Sequence, residues 1–196
     1  MPHYDDTLTL GEGRDLYFQA NGLGEGGYAD RWVRLMAGPL PIYFPNSQAR
    51  VRALKLHDLH HLLTEYDTTW VGEAEIAAWE LTSGCARHYP AWLLNLNGMA
   101  IGLFLNPRKV FEAYRRGRQS RCLYQGEFHQ EMLAQRLGAM RTELGLRRAA
   151  APPRAGDNVG FAAWCVFSLA TFAVTVGLSI VPVALVLLLA TRLLLS

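Results

Sequence analysis

The chain has 196 residues and a formal net charge of +2, which is enough length for one globular domain with an appendage. So small a net charge produces no strong field toward nucleic acid, and we expect no nucleic-acid partner. The three cysteines are an odd number and form no CxxC pair. This argues against a disulfide framework or a zinc knuckle and indicates a reducing compartment.

Residues 1–30 are polar, acidic and glycine-rich. They contain no apolar core segment, so we expect no cleavable signal peptide. Residues 22–27 formally match GxGxxG, but the dinucleotide fingerprint needs a strand, a turn and a helix within an alternating α/β chain, and no such alternation follows. We therefore predict a loop here, followed by a helix at residues 28–36.

The next part of the chain shows apolar residues at helical spacing. Asn46 or Ser47 can cap a helix whose apolar positions continue to Leu63. Thr69 and its neighbours offer caps for a second helix at residues 71–83, which Gly84 would end.

Four further segments are predicted to be helical. Prolines and a polar cluster at residues 95–98 divide two apolar pieces, a basic helix follows at residues 108–118, and a last amphipathic helix covers residues 127–146. No stretch alternates between apolar and polar residues for long enough to indicate a β-sheet. The sequence therefore predicts an all-α soluble domain.

Residues 159–191 contain no charged side chain, which is typical of a membrane-spanning segment. As one helix this run would reach roughly 50 Å, against a hydrocarbon core of about 30 Å. Either a single long helix tilts and projects, or a short helical hairpin breaks near Gly177, Ser179 and Pro182. The proline favours the break, since it removes a helical hydrogen bond.

Basic residues flank the apolar run unequally. Arg147, Arg148 and Arg154 precede it, whereas Arg192 is the basic residue near its end. The positive-inside rule then places the protein in a membrane with its soluble domain on the cytoplasmic, or an equivalent inner, face. We divide the chain into a helical metal-binding domain at 1–148, a linker at 149–158 and a membrane anchor at 159–196.

The segment His57-Asp58-Leu59-His60-His61 is the strongest chemical signal. His57 and His61 are four residues apart, so in a helix they share one face and can bind one metal ion. Neutral imidazole suits zinc, iron or copper, and a carboxylate from a neighbouring helix would complete an open site of the catalytic kind. An HExxH protease would need glutamate at position 58, and six histidines are too few for a diiron hydroxylase with several histidine boxes.

The same segment resembles the coenzyme Q biosynthesis protein four family, which is marked by HDxxH, eleven residues and a glutamate. His57, Asp58 and His61 match, and Glu73 stands at the required spacing. Flanking text such as Ala113-Tyr-Arg-Arg-Gly-Arg118 is similar too, and the resemblance covers roughly residues 15–147. The chain departs from the family in its apolar tail and at Glu65, where glycine often follows the threonine.

The resemblance implies an all-helical fold and a divalent metal, Zn²⁺ or another such as Fe²⁺. It assigns His57, Asp58, His61 and Glu73 as the metal ligands and catalytic residues. Asp58 could ligate the ion or orient a ligand imidazole. Glu73 could instead serve only as a negative charge at a helix start.

The resemblance also implies work on a polyprenylated ring precursor of ubiquinone or another isoprenoid quinone. The reaction would replace the ring carboxyl at C1 by hydroxyl, with the chain as an oxidative decarboxylase. Its partners would be the isoprenoid lipid, the membrane and other quinone-biosynthesis proteins. A second copy of the same chain could also bind, as a homo-oligomer. The alternative is a non-catalytic, lipid-binding scaffold that organises a biosynthetic complex, with the metal joining two helices.

Overall fold

A computed structural model describes residues 3–37, 40–148 and 154–194. Within these ranges the chain forms seven α-helices and one antiparallel β-hairpin, which confirms the prediction of a mostly helical fold. In chain order the elements are α1 (Leu10–Asn21), β1 (Trp32–Ala37), β2 (Leu40–Pro45), α2 (Gln48–Thr64), α3 (Trp70–Ser83), α4 (Tyr89–Leu105), α5 (Pro107–Gly117), two 3₁₀ turns (Leu123–Gln125 and Gln130–Ala134), α6 (Leu137–Glu143) and α7 (Asp157–Leu194).

Helix α3 is the centre of the helical domain and packs against both α4 and α5. Its Trp79 is completely buried. Gly102 of α4 lies against Ala74, and Gly117 of α5 lies against Thr82, so close that a β-carbon at either glycine would collide. These small residues let three helix backbones approach each other. Helix α2 packs on α3 and α4, and its buried Leu62 lies against Gly13 of α1.

The predicted starts of α2 and α3 are confirmed. The Ser47 hydroxyl accepts a hydrogen bond from the Arg50 N–H at 3.2 Å, and the Thr69 hydroxyl accepts one from the Gly72 N–H at 3.2 Å. Both bonds satisfy N–H groups that have no partner within the helix. Gly84 ends α3 at the expected position.

The predicted helix at residues 28–36 is wrong. Trp32–Ala37 forms a strand paired with Leu40–Pro45, with Val33 opposite Phe44 in the register. The partner segment contains Pro41 and Pro45, which a helix interior does not tolerate but an edge strand does. Strand pairing therefore overrides the weak helical preference of the first segment.

The predicted long helix at residues 127–146 is also wrong. Only Leu137–Glu143 is α-helical there, and it follows a 3₁₀ turn. The chain between them is held extended by the N-terminal segment, because Leu10 N–H donates to the Gln135 carbonyl at 2.9 Å and Leu137 N–H donates to the Leu8 carbonyl at 2.8 Å. Contacts between the two ends of the domain thus interrupt a locally helical pattern.

The favoured break in the apolar segment is wrong as well, because α7 is one continuous helix. The Ser179 hydroxyl, which could have favoured a turn, instead forms a hydrogen bond within the helix. It donates to the Thr175 carbonyl at 2.8 Å. The helix is long and apolar enough to cross a membrane, as predicted. Its orientation stays a prediction, and residues 149–153 of the linker lie outside the described residues.

The first turns of α7 pack on the helical domain. The Asp157 carboxylate pairs with Arg118 at 2.9 Å and with Arg115 at 3.5 Å, both from α5. One turn later Phe161 contacts the ring of Phe111 at a centroid distance of 4.9 Å. This candidate membrane-spanning helix is therefore docked on α4 and α5 and is not joined to the domain by its linker alone.

Arg141 of α6 joins the N-terminus to the end of α2. Its guanidinium is buried and donates to the carbonyls of Leu62 and Leu63, at 3.0 and 3.2 Å, and to that of Tyr4 at 3.0 Å. It also donates at 2.8 Å to Glu65, which ends α2 in the left-handed conformation at φ 63°. A cation at a helix C-terminus satisfies carbonyls that have no partner within the helix.

We expect Arg141→Met to lower the free energy of unfolding by about 3–5 kcal/mol, since it leaves the carbonyls of Leu62, Leu63 and Tyr4 without their buried donor. Denaturant unfolding of the detergent-solubilised chain measures the change. Arg108→Met is the matched control, because that side chain is 89% exposed; its effect should stay within about 0.5 kcal/mol. Equal effects of the two variants would contradict the role given to Arg141.

Candidate metal centre

Two histidines of α2 face each other as the sequence predicts. His57 and His61 lie one helical turn apart, and their Nε2 atoms are 3.2 Å from each other. The side chain of His61 is 1% exposed and that of His57 is 20% exposed. The ring of Tyr17 from α1 stacks on His61, with centroids 5.6 Å apart, and covers it from solvent.

Glu73 meets this pair from the first turn of α3. Its Oε1 is 3.3 Å from His61 Nε2 and its Oε2 is 3.5 Å from His57 Nε2. The three ligand atoms lie within 4.8 Å of one another, so His57, His61 and Glu73 form a group that could hold a metal ion. The predicted meeting of two imidazoles and a carboxylate from the following helix is therefore present.

These separations match the size of a coordination sphere. An ion with tetrahedral bonds of about 2.0–2.1 Å holds its ligand atoms roughly 3.3–3.5 Å apart. The two Nε2 atoms are 3.2 Å apart, and each has a different Glu73 oxygen at a similar distance, Oε1 at 3.3 Å from His61 and Oε2 at 3.5 Å from His57, so small adjustments of the side chains would bring one oxygen to that spacing from both. The Glu73 side chain is 40% exposed, so solvent or a small ligand can approach the centre from that side.

The other nitrogen of each imidazole already has a partner. His57 Nδ1 lies 2.9 Å from Glu80 Oε1, and His61 Nδ1 lies 2.9 Å from the Tyr66 carbonyl. Both partners are acceptors, so each Nδ1 donates its proton to them, and each Nε2 faces the other imidazole and Glu73. This arrangement orients metal-binding histidines, and in the neutral form that a metal requires each Nε2 would present its lone pair to the ion.

Electrostatics favour positive charge between these groups. Burial lowers the pKa of His57, but the Glu80 and Glu73 carboxylates outweigh it and raise that pKa well above its usual range. Burial raises the pKa of Glu73, but hydrogen bonds and charge from His57 and His61 outweigh it and hold the pKa well below its usual range. Burial likewise opposes ionisation of Glu80, and the two histidines it contacts lower its pKa further than burial raises it. Two ionised carboxylates thus flank the imidazole pair.

Asp58 lies beside the centre but outside the group of three ligands. Its buried carboxylate accepts a hydrogen bond from the Tyr28 hydroxyl at 2.5 Å. Burial raises its pKa, while His57 and His61 act in the opposite direction. Those two imidazoles are therefore close enough to interact electrostatically with the Asp58 carboxylate. Its role as a ligand or a catalytic group stays a prediction.

Glu80 is the hub of the buried polar network and was not predicted from the sequence. Its carboxylate is fully buried and contacts His57 at 2.9 Å, His60 at 2.6 Å, Asn95 at 2.6 Å and the Tyr124 hydroxyl at 3.2 Å. Glu80 lies two helical turns after Glu73 on the same helix. A glutamate on the inward face of an apolar helix was the available signal.

Two other polar residues near the motif serve the protein itself. The Nδ1 atom of His60 contacts the Glu80 carboxylate, and its Nε2 accepts a hydrogen bond from the Leu123 N–H at 2.9 Å. Neither nitrogen therefore faces the centre. Glu65, where the chain departs from the family pattern, pairs with Arg141 at 2.8 Å and with His3 at 2.7 Å.

Comparisons of the chain with protein-family models, with curated proteins and with solved structures gave no match. The likeness to the coenzyme Q biosynthesis protein four family therefore stands on the HDxxH motif, the spacing to Glu73 and the flanking residues, and the family assignment stays a prediction.

We expect the purified chain to bind one divalent ion, and His61→Ala or Glu73→Gln to remove most of that affinity. The loss should exceed the roughly 10–100-fold effect typical of removing a supporting partner, because each change deletes a ligand atom. Competition with a chromophoric chelator measures the affinity. His129→Ala is the control, since that histidine is exposed and is distant in sequence from the three ligand residues. Undiminished binding by both ligand variants would rule out this site.

We expect Glu80→Gln to weaken metal binding by about 10–100-fold, because a neutral amide holds the His57 Nδ1–H less strongly and makes that ring a poorer ligand. The same competition titration measures the change, and the metal content at saturation should remain one ion per chain. An affinity equal to that of the unmodified chain would mean that Glu80 serves only the helix packing.

Proposed function

We propose that this protein is a membrane-anchored, metal-dependent enzyme of isoprenoid-quinone biosynthesis. Its substrate would be a polyprenylated aromatic ring that carries a carboxyl group at C1, and its product would carry a hydroxyl at that carbon. The family resemblance supplies the reaction. The observation that supports it best is a set of three ligands with one partly exposed side, which is the form of a catalytic rather than a structural metal site.

The donor set suits two kinds of metal. Two histidines and a glutamate bind Zn²⁺ in hydrolytic enzymes, and two histidines with a carboxylate bind Fe²⁺ in oxygenases. When bound, a divalent ion would supply Lewis-acid stabilisation of the substrate carboxylate, and iron would add redox chemistry that zinc lacks. We propose Zn²⁺ or Fe²⁺, held by His57, His61 and Glu73.

The chemistry sets what else the enzyme needs. Loss of carbon dioxide and gain of one oxygen atom at C1 consumes dioxygen, two electrons and two protons, and it releases water beside the hydroxylated ring. The residues around the centre would hold and orient the metal ligands. Glu80 and the Tyr66 carbonyl fix the two imidazoles, and Tyr17 covers His61. The electron donor would be a separate partner.

The membrane helix supports a lipid substrate. A polyprenyl tail dissolves in the bilayer, and α7 would keep the centre beside it. Since α4 packs on α7 and also supplies Asn95 to Glu80, one helix connects the anchor to the polar network behind the centre.

A non-catalytic scaffold is the rival function. Joining α2 to α3 through one ion would stabilise the domain without any reaction. A closed site with four protein ligands would favour that role, whereas the partial exposure of Glu73 favours catalysis. A scaffold would still bind lipid and metal, so turnover is the property that separates the two functions.

We expect the chain, loaded in turn with Zn²⁺ and Fe²⁺ in nanodiscs, to convert a prenylated hydroxybenzoate to its C1-hydroxylated product when dioxygen and a reductant are present. Mass spectrometry follows the product and the released carbon dioxide. His61→Ala should abolish formation of the product, and His129→Ala should leave it unchanged. If cells that carry His61→Ala at normal protein level make as much quinone as before, catalysis at this centre is refuted and the scaffold is favoured.

A further inference from the structure

Helix α4 has an apolar outer face. No charged residue occurs from Tyr89 to Leu105. Five large apolar side chains of this helix are between 48% and 74% exposed: Tyr89, Leu93, Leu94, Phe104 and Leu105. A helix that covers a water-soluble domain normally turns charged and polar residues outward, so this face is unusual for a surface in contact with water.

The exposed residues of α4 form one stripe. Positions 89, 93 and 94, and 104 and 105 recur near whole helical turns. Between them Ile101 and the polar, uncharged Asn97 are partly exposed. The opposite side of the helix is buried, with Asn95, Leu96 and Met99 directed into the domain. The stripe therefore runs along the whole helix and is not a scatter of single apolar residues.

The stripe adjoins the membrane helix. Helix α7 packs along α4, and Trp92 stacks on Trp164 with centroids 6.1 Å apart. In the same half of α7, Val159, Val166 and Phe167 are each more than half exposed. The outer faces of the two helices thus add to a single apolar surface.

The length of α7 indicates what covers this surface. The uncharged run 159–191 is roughly 50 Å long, about 20 Å more than the hydrocarbon core requires. Part of this run lies beside α4, since Trp164 stacks on Trp92. If the bilayer began only beyond the domain, these apolar turns and the stripe on α4 would remain in water.

Basic side chains stand just beyond both ends of α4. Arg87 precedes the helix and is 84% exposed, and Arg108 follows it and is 89% exposed. Long basic side chains at such positions can extend to lipid headgroups while the stretch between them meets acyl chains.

We propose that the outer stripe of α4 is embedded in the lipid bilayer beside α7, so that the helical domain itself enters the membrane interface. The occupant of this surface is lipid, because the stripe continues the membrane-spanning helix, lacks charge along its length and is bounded by basic residues. This inference does not depend on the metal centre or on the reaction proposed for it.

Site-directed fluorescence tests the proposal on the full chain. Cys165→Ala removes the partly exposed thiol, and Cys85 and Cys122 are buried. In that background a single cysteine at Leu94 or Phe104 is labelled with the environment-sensitive dye NBD. The labelled protein is reconstituted in phosphatidylcholine and phosphatidylglycerol vesicles, with or without nitroxide-labelled lipid. Leu178→Cys on α7 serves as the membrane reference, and Glu131→Cys, on the exposed 3₁₀ turn, serves as the aqueous reference.

Nitroxide lipid should quench the dye at positions 94 and 104 severalfold, as at 178, and should leave the dye at 131 unchanged. Quenching at 94 and 104 equal to that at 131, with full access to iodide in water, would overturn the proposal. Shielding from iodide that appears only at high protein-to-lipid ratio, without nitroxide quenching, would also overturn it and would identify a second copy as the occupant.

Discussion

A buried carboxylate constrains this domain. Glu80 is enclosed by α2, α4 and the 3₁₀ turn at Leu123–Gln125, and each of these supplies a donor to it. An ionised group without partners in such a place would cost several kcal/mol, so the elements around it must keep their register for the fold to be stable. The same bonds orient His57. Stability of the core and geometry of the metal centre therefore depend on one side chain.

The centre is built asymmetrically around this constraint. His57 is oriented by a charge from the core, whereas His61 is oriented by a backbone carbonyl just after α2. That backbone segment is held by Glu65 and Arg141, so the N-terminus and α6 influence the position of the second imidazole. Glu73, at the outer edge of the centre, has the most exposed side chain of the three. A rigid inner side and an accessible outer side suit a site that binds a substrate.

Helix α4 connects this centre to the candidate membrane-spanning helix α7. Its inner face contributes Asn95 to the network around Glu80, its flank packs on α7, and its outer face carries the apolar stripe. A lipid that approaches along α4 would therefore reach the helix that supports the polar network without first passing through bulk water. Docking of α7 through Asp157 and Phe161 keeps the domain and the anchor together.

Local sequence determined much of this protein. The spacing of His57 and His61 fixes both rings on one helical face, Ser47 and Thr69 start their helices by capping, and the uncharged run makes a long apolar helix, because each of these depends on residues within a few turns. Tertiary structure decided the rest. Pairing of β1 with β2 replaced a helix, contacts with Leu8 and Leu10 interrupted the last amphipathic segment, and Glu80 became the hub only when α2, α4 and Tyr124 surrounded it. These outcomes depend on groups far apart in the chain, whose meeting no local pattern encodes.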